Sequence, residues 1–316
     1  MPRSSNGGGL LVTGSSGFIG SHASARFGGE GAVYLDRRLP GGGVPAVTTL
    51  AELADLEALR AHAAAAPAAR LLHLAAEAEV LTPWNEVGGV LRSNEVGTYN
   101  LLTAYQPRLA VFASTSAAYG NASAEEARPA VETARPLGLY GVSKLMGEVL
   151  LRDWARGSGN AAVAFRLGNV VGPRCRGLIP YLVEHARKHP DGEKPARMRG
   201  YGKLVRDYVP VDYVVELFAR ALEETWPSGS FQLFNAGVGR GLSNGEVAEL
   251  AAGVLAGHGW KLTIAWEDPV ALGEAESVVL NMDSTLRRLG TVPPDEERVR
   301  HVIVESVRWQ IEKGSG

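Results

Sequence analysis

Apolar positions recur in two rhythms along the first half of the chain. Leu10–Thr13 is a short apolar run that ends in glycines, as a strand buried on both faces does. A helix is expected from about Gly20 to Gly28, then a second strand at Ala32–Leu35. Ala51–Ala66 is rich in Ala, Leu and Glu and reads as a helix, with His62 to Ala69 as its low-complexity end. Arg70–Leu74 is the third strand, Val87–Tyr105 a long helix and Ala110–Ala113 the fourth strand. Tyr140–Arg156 carries apolar residues at helical spacing, and Ala162–Leu167 is the fifth strand. Strands alternating with helices of this length imply βαβ units with right-handed crossovers. The expected fold class is α/β, a Rossmann-type doubly wound parallel sheet. After Gly168 the rhythm changes: Gly172-Pro173-Arg174, Lys188–Arg199 and Gly237–Gly241 are rich in Pro, Gly and Arg. A first domain over residues 1–168 and a smaller α/β substrate-binding domain over 169–316 are therefore expected. Val211–Thr225, helical, and Phe231–Asn235, a strand, are expected to return to the first domain's sheet.

Composition narrows the picture without redrawing it. The chain has 316 residues, enough for one large α/β domain and a smaller one. With 45% hydrophobic and 21% charged residues it has the profile of an ordinary soluble enzyme. A formal net charge of −2 leaves no electrostatic footprint for nucleic acid. The single cysteine, Cys175, has no intrachain partner and reads as a small buried side chain, consistent with a reducing cytoplasm. Leu10–Val12 is too short for a signal peptide, and no apolar stretch reaches membrane-spanning length. A cytoplasmic protein with no membrane partner is expected. The basic residues are nearly all arginine; the lysines are Lys144, Lys188, Lys194, Lys203, Lys261 and Lys313. With abundant Ala and Gly this suggests a GC-rich genome, for which antibiotic glycoside assembly is a conceivable setting.

Two clusters carry candidate chemistry. Thr13-Gly14-Ser15-Ser16-Gly17-Phe18-Ile19-Gly20 follows a strand and opens a helix, with the spacing G-x-x-G-x-x-G. Glycines there permit a tight turn, and a helix N-terminus offers free N–H groups to a pyrophosphate. Asp36 ends the second strand, where a carboxylate accepts from ribose hydroxyls and repels a 2′-phosphate, favouring NAD over NADP. Arg37 and Arg38 follow at once and could offset that preference. The first domain is thus expected to bind NAD. The second cluster is Tyr140-Gly141-Val142-Ser143-Lys144, which puts Tyr140 and Lys144 on one helix face. A free phenol titrates near about 10, and a nearby ammonium is expected to lower that value. Upstream, Ser114-Thr115-Ser116-Ala117-Ala118-Tyr119-Gly120 follows a strand, so Thr115 or Ser116 could bond a substrate hydroxyl beside Tyr140. Ordinary turn chemistry for Ser and Thr is the alternative. His185 and His189 are spaced i,i+4 with no glutamate between them, and read as a solvated helix face.

Together these residues resemble the extended short-chain dehydrogenase/reductase family, and within it the nucleotide-sugar epimerases and dehydratases. Residues 13–22, TGSSGFIGSH, look like the family's cofactor loop, and His73-Leu74-Ala75-Ala76 resembles the strand end lying along the cofactor. Asn94-Glu95-Val96-Gly97-Thr98 resembles its N-x-x-G-T helix, and residues 140–144 match Y-x-x-x-K. Arg166 to Arg174 resembles R-x-x-N-x-x-G-P-R, and Gly200 to Asp212 the segment whose arginine grips the sugar-nucleotide diphosphate. Phe234-Asn235-Ala236-Gly237, with Ser243 and Glu246, is similar to the next landmark. The resemblance implies a catalytic group of Thr115, Tyr140 and Lys144. It implies cofactor contacts from Gly14, Gly17, Phe18, Ile19, Gly20, Asp36, Leu74, Ala75, Ala76 and Asn94, with Tyr140 and Lys144. It implies substrate contacts from Ser116, Asn169, Arg176 and Arg206, no metal, and a structural rather than catalytic His73. A homodimer through helices near Val87–Tyr105 and Tyr140–Arg156 is also implied.

The family's members share oxidation of a sugar C4 hydroxyl and differ in the fate of the ketone. Its 4,6-dehydratases carry an Asp-Glu pair directly after the threonine, where this chain has Ser116 and Ala117. Its uronate decarboxylases carry Glu where Ala117 stands. The expectation is therefore a UDP-sugar 4-epimerase acting through a transient 4-keto sugar. Members acting on UDP-glucuronate place an arginine for the C6 carboxylate in the stretch that here reads Arg174-Cys175-Arg176-Gly177, so UDP-glucuronate is expected first and UDP-glucose second. An exposed basic loop, or an arginine for phosphate, is the other reading of that stretch. A decarboxylase, a 4-ketoreductase and a non-catalytic NAD sensor or scaffold are the rivals. Two departures stand out: Ala271-Leu272-Gly273-Glu274 has Ala where the family often has a diphosphate arginine, and Asp212-Tyr213 replaces the usual Asp-Asp.

Overall fold

The apolar runs become strands because each is bounded by residues that stop it. Leu10, Leu11 and Val12 are almost wholly buried in Gly9–Thr13 (β1), which the glycine loop ends. The chain, described by a computed structural model over residues 9–28, 31–39, 48–78, 82–123, 125–129, 133–267 and 275–313, divides into two units. Unit 1 comprises Met1–Ala118, Ala130–Arg166 and Val215–Phe234; unit 2 comprises Tyr119–Pro129, Leu167–Val214 and Asn235–Gly316.

Unit 1 carries a seven-stranded sheet, except for the last residues of two strands, Leu167 and Asn235–Ala236, which are counted with unit 2. To β1 it adds Val33–Asp36 (β2), Thr48–Leu50 (β3), Ala68–His73 (β4), Leu109–Thr115 (β5), Ala161–Leu167 (β6) and Phe231–Ala236 (β7). The order is β7-β6-β5-β4-β1-β2-β3, and the pairings from β5 to β3 are parallel. The strand order reverses at β1, the switch point outside whose carboxyl end ligands bind in such sheets. Register is fixed by the buried rows: Leu11 lies opposite Leu71 on one side and Val33 on the other. Leu11, Leu35, Leu71, Ala110, Phe112 and Ala164 share one core cluster.

Three details depart from the periodicity. The edge strand β3 is absent from the hydrophobic pattern, since three residues of which two are exposed carry no alternation. The helix expected from Ala51 begins at Leu56, because Asp55 caps it by accepting from the Ala58 amide at 2.9 Å, and it ends at Ala65. The helix expected over Val87–Tyr105 is broken at Arg92–Val96 into a π turn. That insertion puts Leu91 and Val96, five apart, on one exposed side with Tyr99, where an unbroken helix would separate them.

Unit 2 is a mixed assembly whose other helices the periodicity does not announce. Leu178–Lys188, Asn244–Ala256 and Glu296–Lys313 pack on one another. Ser243 opens the second of these with a reciprocal capping box to Glu246. Asn169–Val171 pairs in parallel with Tyr208–Pro210, and Ala196–Arg199 with Ile264–Glu267. Two buried polar side chains tie its loops together. Asp207 accepts from the amides of Val238 (2.7 Å), Gly239 (3.0 Å) and Leu280 (3.1 Å). Asn235 accepts from the Tyr119 hydroxyl and donates to the Ala127 and Asn281 carbonyls.

Candidate active site

The glycine loop in unit 1 is shaped by close backbone approach. A Cβ on Gly14, whose φ is +73°, would sit 2.6 Å from the Ala75 nitrogen; one on Gly20 would sit 1.9 Å from the Gly14 oxygen. So Leu74-Ala75-Ala76, leaving β4, lies directly against the loop, with the Leu74 amide donating to the Thr13 carbonyl. The helix Phe18–Phe27 has no side-chain cap and no acidic residue in its first turn. Its first amides, those of Phe18, Ile19 and Gly20, are therefore suited to an anion. Asp36 at the end of β2 is held in place by the Ser16 and Arg38 amides, at 2.9 and 3.2 Å. Arg37 forms an ion pair with Glu77, so its charge is engaged away from Asp36. An uncapped helix end beside a carboxylate held by backbone fits a dinucleotide with a free 2′-hydroxyl.

Asn94 has a fully committed amide. It accepts from the Glu77 amide (2.8 Å) and donates to the Glu77 carbonyl and the Ser143 hydroxyl, both at 3.0 Å. It thus ties the stretch after β4 to the helix carrying Tyr140 and Lys144. His73 is buried between Thr13 (2.7 Å) and Thr98 (2.9 Å), and burial pushes its pKa down to about 3. It is a neutral bridge between strand and helix.

Tyr140 and Lys144 lie on the helix Leu139–Ser158, which approaches β5 closely. Gly147 makes that approach possible, since a Cβ there would meet the Phe112 ring at 2.6 Å. The Lys144 ammonium then sits 4.0 Å from the centre of the same ring. The Thr115 hydroxyl lies near enough to the Tyr140 phenol to favour its ionised form. Thr115 Oγ1 also accepts from the Ala117 amide at 3.2 Å, in the buried turn Ser116–Ala118. A Cβ on Gly141 would sit 2.7 Å from the Ala117 carbonyl oxygen, so the residue after Tyr140 must be small.

The electrostatics differ from the sequence-based expectation. Desolvation raises the Tyr140 phenol above its ordinary value, opposed by the nearby Thr115 hydroxyl. Burial also pushes Lys144 down to about 7, against the pull of Glu148 and Glu95. Removal from water is the largest influence on each group. Two residues that sequence reasoning missed stand out. Glu148 is fully buried and bound in bidentate fashion by Arg166, at 2.9 and 2.8 Å, with the Ser114 hydroxyl at 2.5 Å. Glu95, on the π turn, has one carboxylate oxygen sealed from solvent with no hydrogen-bond partner among the described residues. The i,i+4 spacing of Lys144 and Glu148 is the available signal for the first.

The expected substrate contacts other than Ser116 belong to unit 2. Asn169 and Arg176 are exposed, and Arg206 is half-buried, bonding the Val205 and Glu276 carbonyls. Arg174 holds a positive φ of 73°, and Gly177 one of 84°. Among the described residues neither Arg174 nor Arg176 forms an ion pair. Between them Cys175 is buried and its thiol is pushed up to about 11, which leaves it inert. The altered stretch Ala271 to Glu274 lies outside the described residues. The half-exposed rings of His185 and His189 lie 4.9 Å apart, tilted by 52°, and no metal-binding group of three occurs among the described residues.

Residues 10–237 match the NAD dependent epimerase/dehydratase family. The UDP-glucose 4-epimerase of Azospirillum brasilense is 30% identical, over 95% of this chain and 91% of that protein. The chain belongs to the NAD dependent epimerase/dehydratase family. Its cofactor is NAD, and it is an isomerase of the epimerase type. Two solved structures are similar along their whole length. MoeE5 in complex with UDP-glucuronic acid and NAD is 26% identical with a TM-score of 0.82, covering 97% of this chain and 100% of that one. The UDP-glucose 4-epimerase of Thermotoga maritima with UDP-glucose is 25% identical with a TM-score of 0.84, covering 98% and 100%. MoeE5 has also been solved with UDP-glucose and NAD. The glycine loop, the Tyr140/Lys144 pair and the seven-stranded sheet occur together in this chain. No helix among the described residues is long and apolar enough to cross a membrane.

Proposed function

We propose that this chain is an NAD-dependent UDP-sugar 4-epimerase whose substrate is UDP-glucuronate, converted to UDP-galacturonate through a transient 4-keto sugar. One observation carries the reaction type: Thr115, Tyr140 and Lys144 stand beside a turn, Ser116–Ala118, that contains no carboxylate. Elimination needs an acid and a base at that turn, and this chain offers a serine hydroxyl and a methyl group. NAD, which Gly14 to Gly20, Asp36 and Leu74 to Ala76 would hold, would supply a reversible hydride acceptor for the sugar C4. Tyr140 takes the C4 hydroxyl proton and gives it back after the ketone has turned over, while Thr115 holds that oxygen. Lys144, as ammonium, stabilises the phenolate in a site where desolvation disfavours it. Asn94 and Ser143 hold the cofactor strand and the catalytic helix in register.

We assign unit 1 to NAD, through Gly14 to Gly20, Asp36 and Leu74 to Ala76, and unit 2 to the sugar nucleotide, with Asn169 and Arg206 on the diphosphate. Arg176 reads the C6 carboxylate. Its lack of an acidic partner among the described residues supports this, as does the likeness to MoeE5 with UDP-glucuronic acid. Oxidation at C4 makes a β-keto acid, so an arginine fork must hold the carboxylate out of the alignment that expels carbon dioxide. UDP-glucose is the second reading, favoured by the Azospirillum relative. Incubation with each sugar nucleotide separately, followed by product identification, tests the assignment. UDP-galacturonate without carbon dioxide or net NADH is expected; a pentose product, or turnover of UDP-glucose alone, would refute it.

A homodimer fits the exposed apolar residues. Val142 and Met146, one turn apart, project from the helix carrying Tyr140; Leu91, Val96 and Tyr99 project from the helix with the π turn.

A further inference from the structure

Three groups on β5 contact the helix Leu139–Ser158, and each meets it at a different level. Thr115 lies near the Tyr140 phenol. Phe112 packs against Gly147 and lies under the Lys144 ammonium. Ser114, on the same face of the strand as Phe112, donates to Glu148 at 2.5 Å. Glu148 in turn reaches β6, through two nitrogens of the Arg166 guanidinium. It lies four residues beyond Lys144, hence one turn along the same face. Its charge is the strongest influence that favours the Lys144 ammonium against burial.

An ion pair with both side chains at 0% exposure is a poor device for stability alone. Two apolar residues of similar volume commonly stabilise such a site as well or better. Here the carboxylate has three donors fixing its position, and the lysine it faces rests over an aromatic ring. We propose that Glu148, clamped by Arg166 and Ser114, is a positioning residue that keeps Lys144 charged and seated over Phe112, and through it readies Tyr140. This rests on the reading of Tyr140 and Lys144 as the catalytic pair. Glu95 acts on the same lysine from the π turn, but with an oxygen that nothing among the described residues holds, so it is not the fixed counter-charge.

The chain has six lysines, so selective isotopic labelling gives six side-chain signals, and Lys144→Arg identifies one of them. The test is an NMR titration of Lys144 in the wild type, in Glu148→Gln, and in the double variant Glu148→Leu with Arg166→Met. The double variant leaves no buried charge behind and keeps the measurement possible if Glu148→Gln does not fold. In both variants Lys144 should lose proton affinity by about tenfold. The alkaline limb of the kcat profile with UDP-glucuronate should move to lower pH by the same factor, while KM stays within about twofold. A Lys144 midpoint equal to that of the wild type in a folded variant would overturn the proposal. Recovery of the wild-type kcat profile in the double variant would overturn it too, since stability alone would then be the role. Tyr140→Phe is the control: if it keeps wild-type turnover, the catalytic pair itself is misassigned, whatever the titration of Lys144 shows.

Discussion

The two units treat their polar residues in opposite ways. In unit 1 the candidate chemistry is folded into the interior: Thr115, Lys144, Glu148 and Arg166 are all buried and linked to neighbours by side-chain contacts. In unit 2 the candidate substrate groups, Asn169 and Arg176, are exposed, and its buried polar residues, Asp207 and Asn235, serve to tie loops. Reactivity requires groups whose protonation is held away from water's values, and burial supplies that. Recognition requires side chains free to meet a ligand. Under the proposed assignment the chain buries the groups for oxidation and leaves exposed the groups that would distinguish substrates.

That contrast can be broken by substitution, with effects ranked by depth. Tyr140→Phe should lower turnover by about 10²–10⁴-fold, the worth of a positioned acid–base group, with NAD still bound. Steady-state assays and equilibrium dialysis check both parts. Glu148→Ala should lower unfolding free energy by about 3–5 kcal/mol, because Arg166 is left as an uncompensated buried charge. Chemical denaturation measures it.

In unit 2, Asp207 supplies a pH-dependent test. Burial raises its carboxyl to about 6 from 3.8. The folded chain therefore binds that proton more tightly than the unfolded chain, and the unfolded state ionises first. The contribution favouring the fold is full below about pH 4 and is lost as pH rises through about 6. Relative to Asp207→Asn, the wild type should lose about 2–3 kcal/mol over that window, read from urea melts at pH 4, 5 and 7. Arg176→Ala should leave stability within about 0.5 kcal/mol but reduce the preference for UDP-glucuronate over UDP-glucose by about 10–100-fold in kcat/KM. Met146→Glu should weaken self-association without loss of the fold, as sedimentation would show. If Arg176→Ala instead destabilised the chain as strongly as Glu148→Ala, the contrast between the units would fail.

Legibility divides along the same line. β1, β4, β5 and β6 can be read because buried parallel strands are continuous apolar runs, and the glycine loop because close backbone approach at Gly14 and Gly20 excludes any side chain. Tyr140 and Lys144 are visible from their spacing together with the glycine loop that precedes them. Their electrostatics are not, since the desolvation that raises Tyr140 and lowers Lys144 depends on what packs around them. The π turn at Arg92–Val96 leaves no mark in the periodicity, because its flanks are helical on both sides. Unit 2 is hardest: its strands are two to four residues long and paired across long sequence separations, as Leu242–Ser243 is with Val205–Arg206. Glu148 and Arg166 are hidden for a different reason. A charged residue in a sequence reads as surface until its partner, here 18 positions away, is known.

The most direct measurement tracks the C4 hydrogen itself. UDP-glucuronate carrying deuterium at C4 is incubated with the NAD-loaded enzyme, and the product is analysed by NMR and mass spectrometry. Transient oxidation with return of the same hydride gives UDP-galacturonate with deuterium retained at C4 and no carbon dioxide. Deuterium lost from C4, or a decarboxylated pentose product, would contradict it.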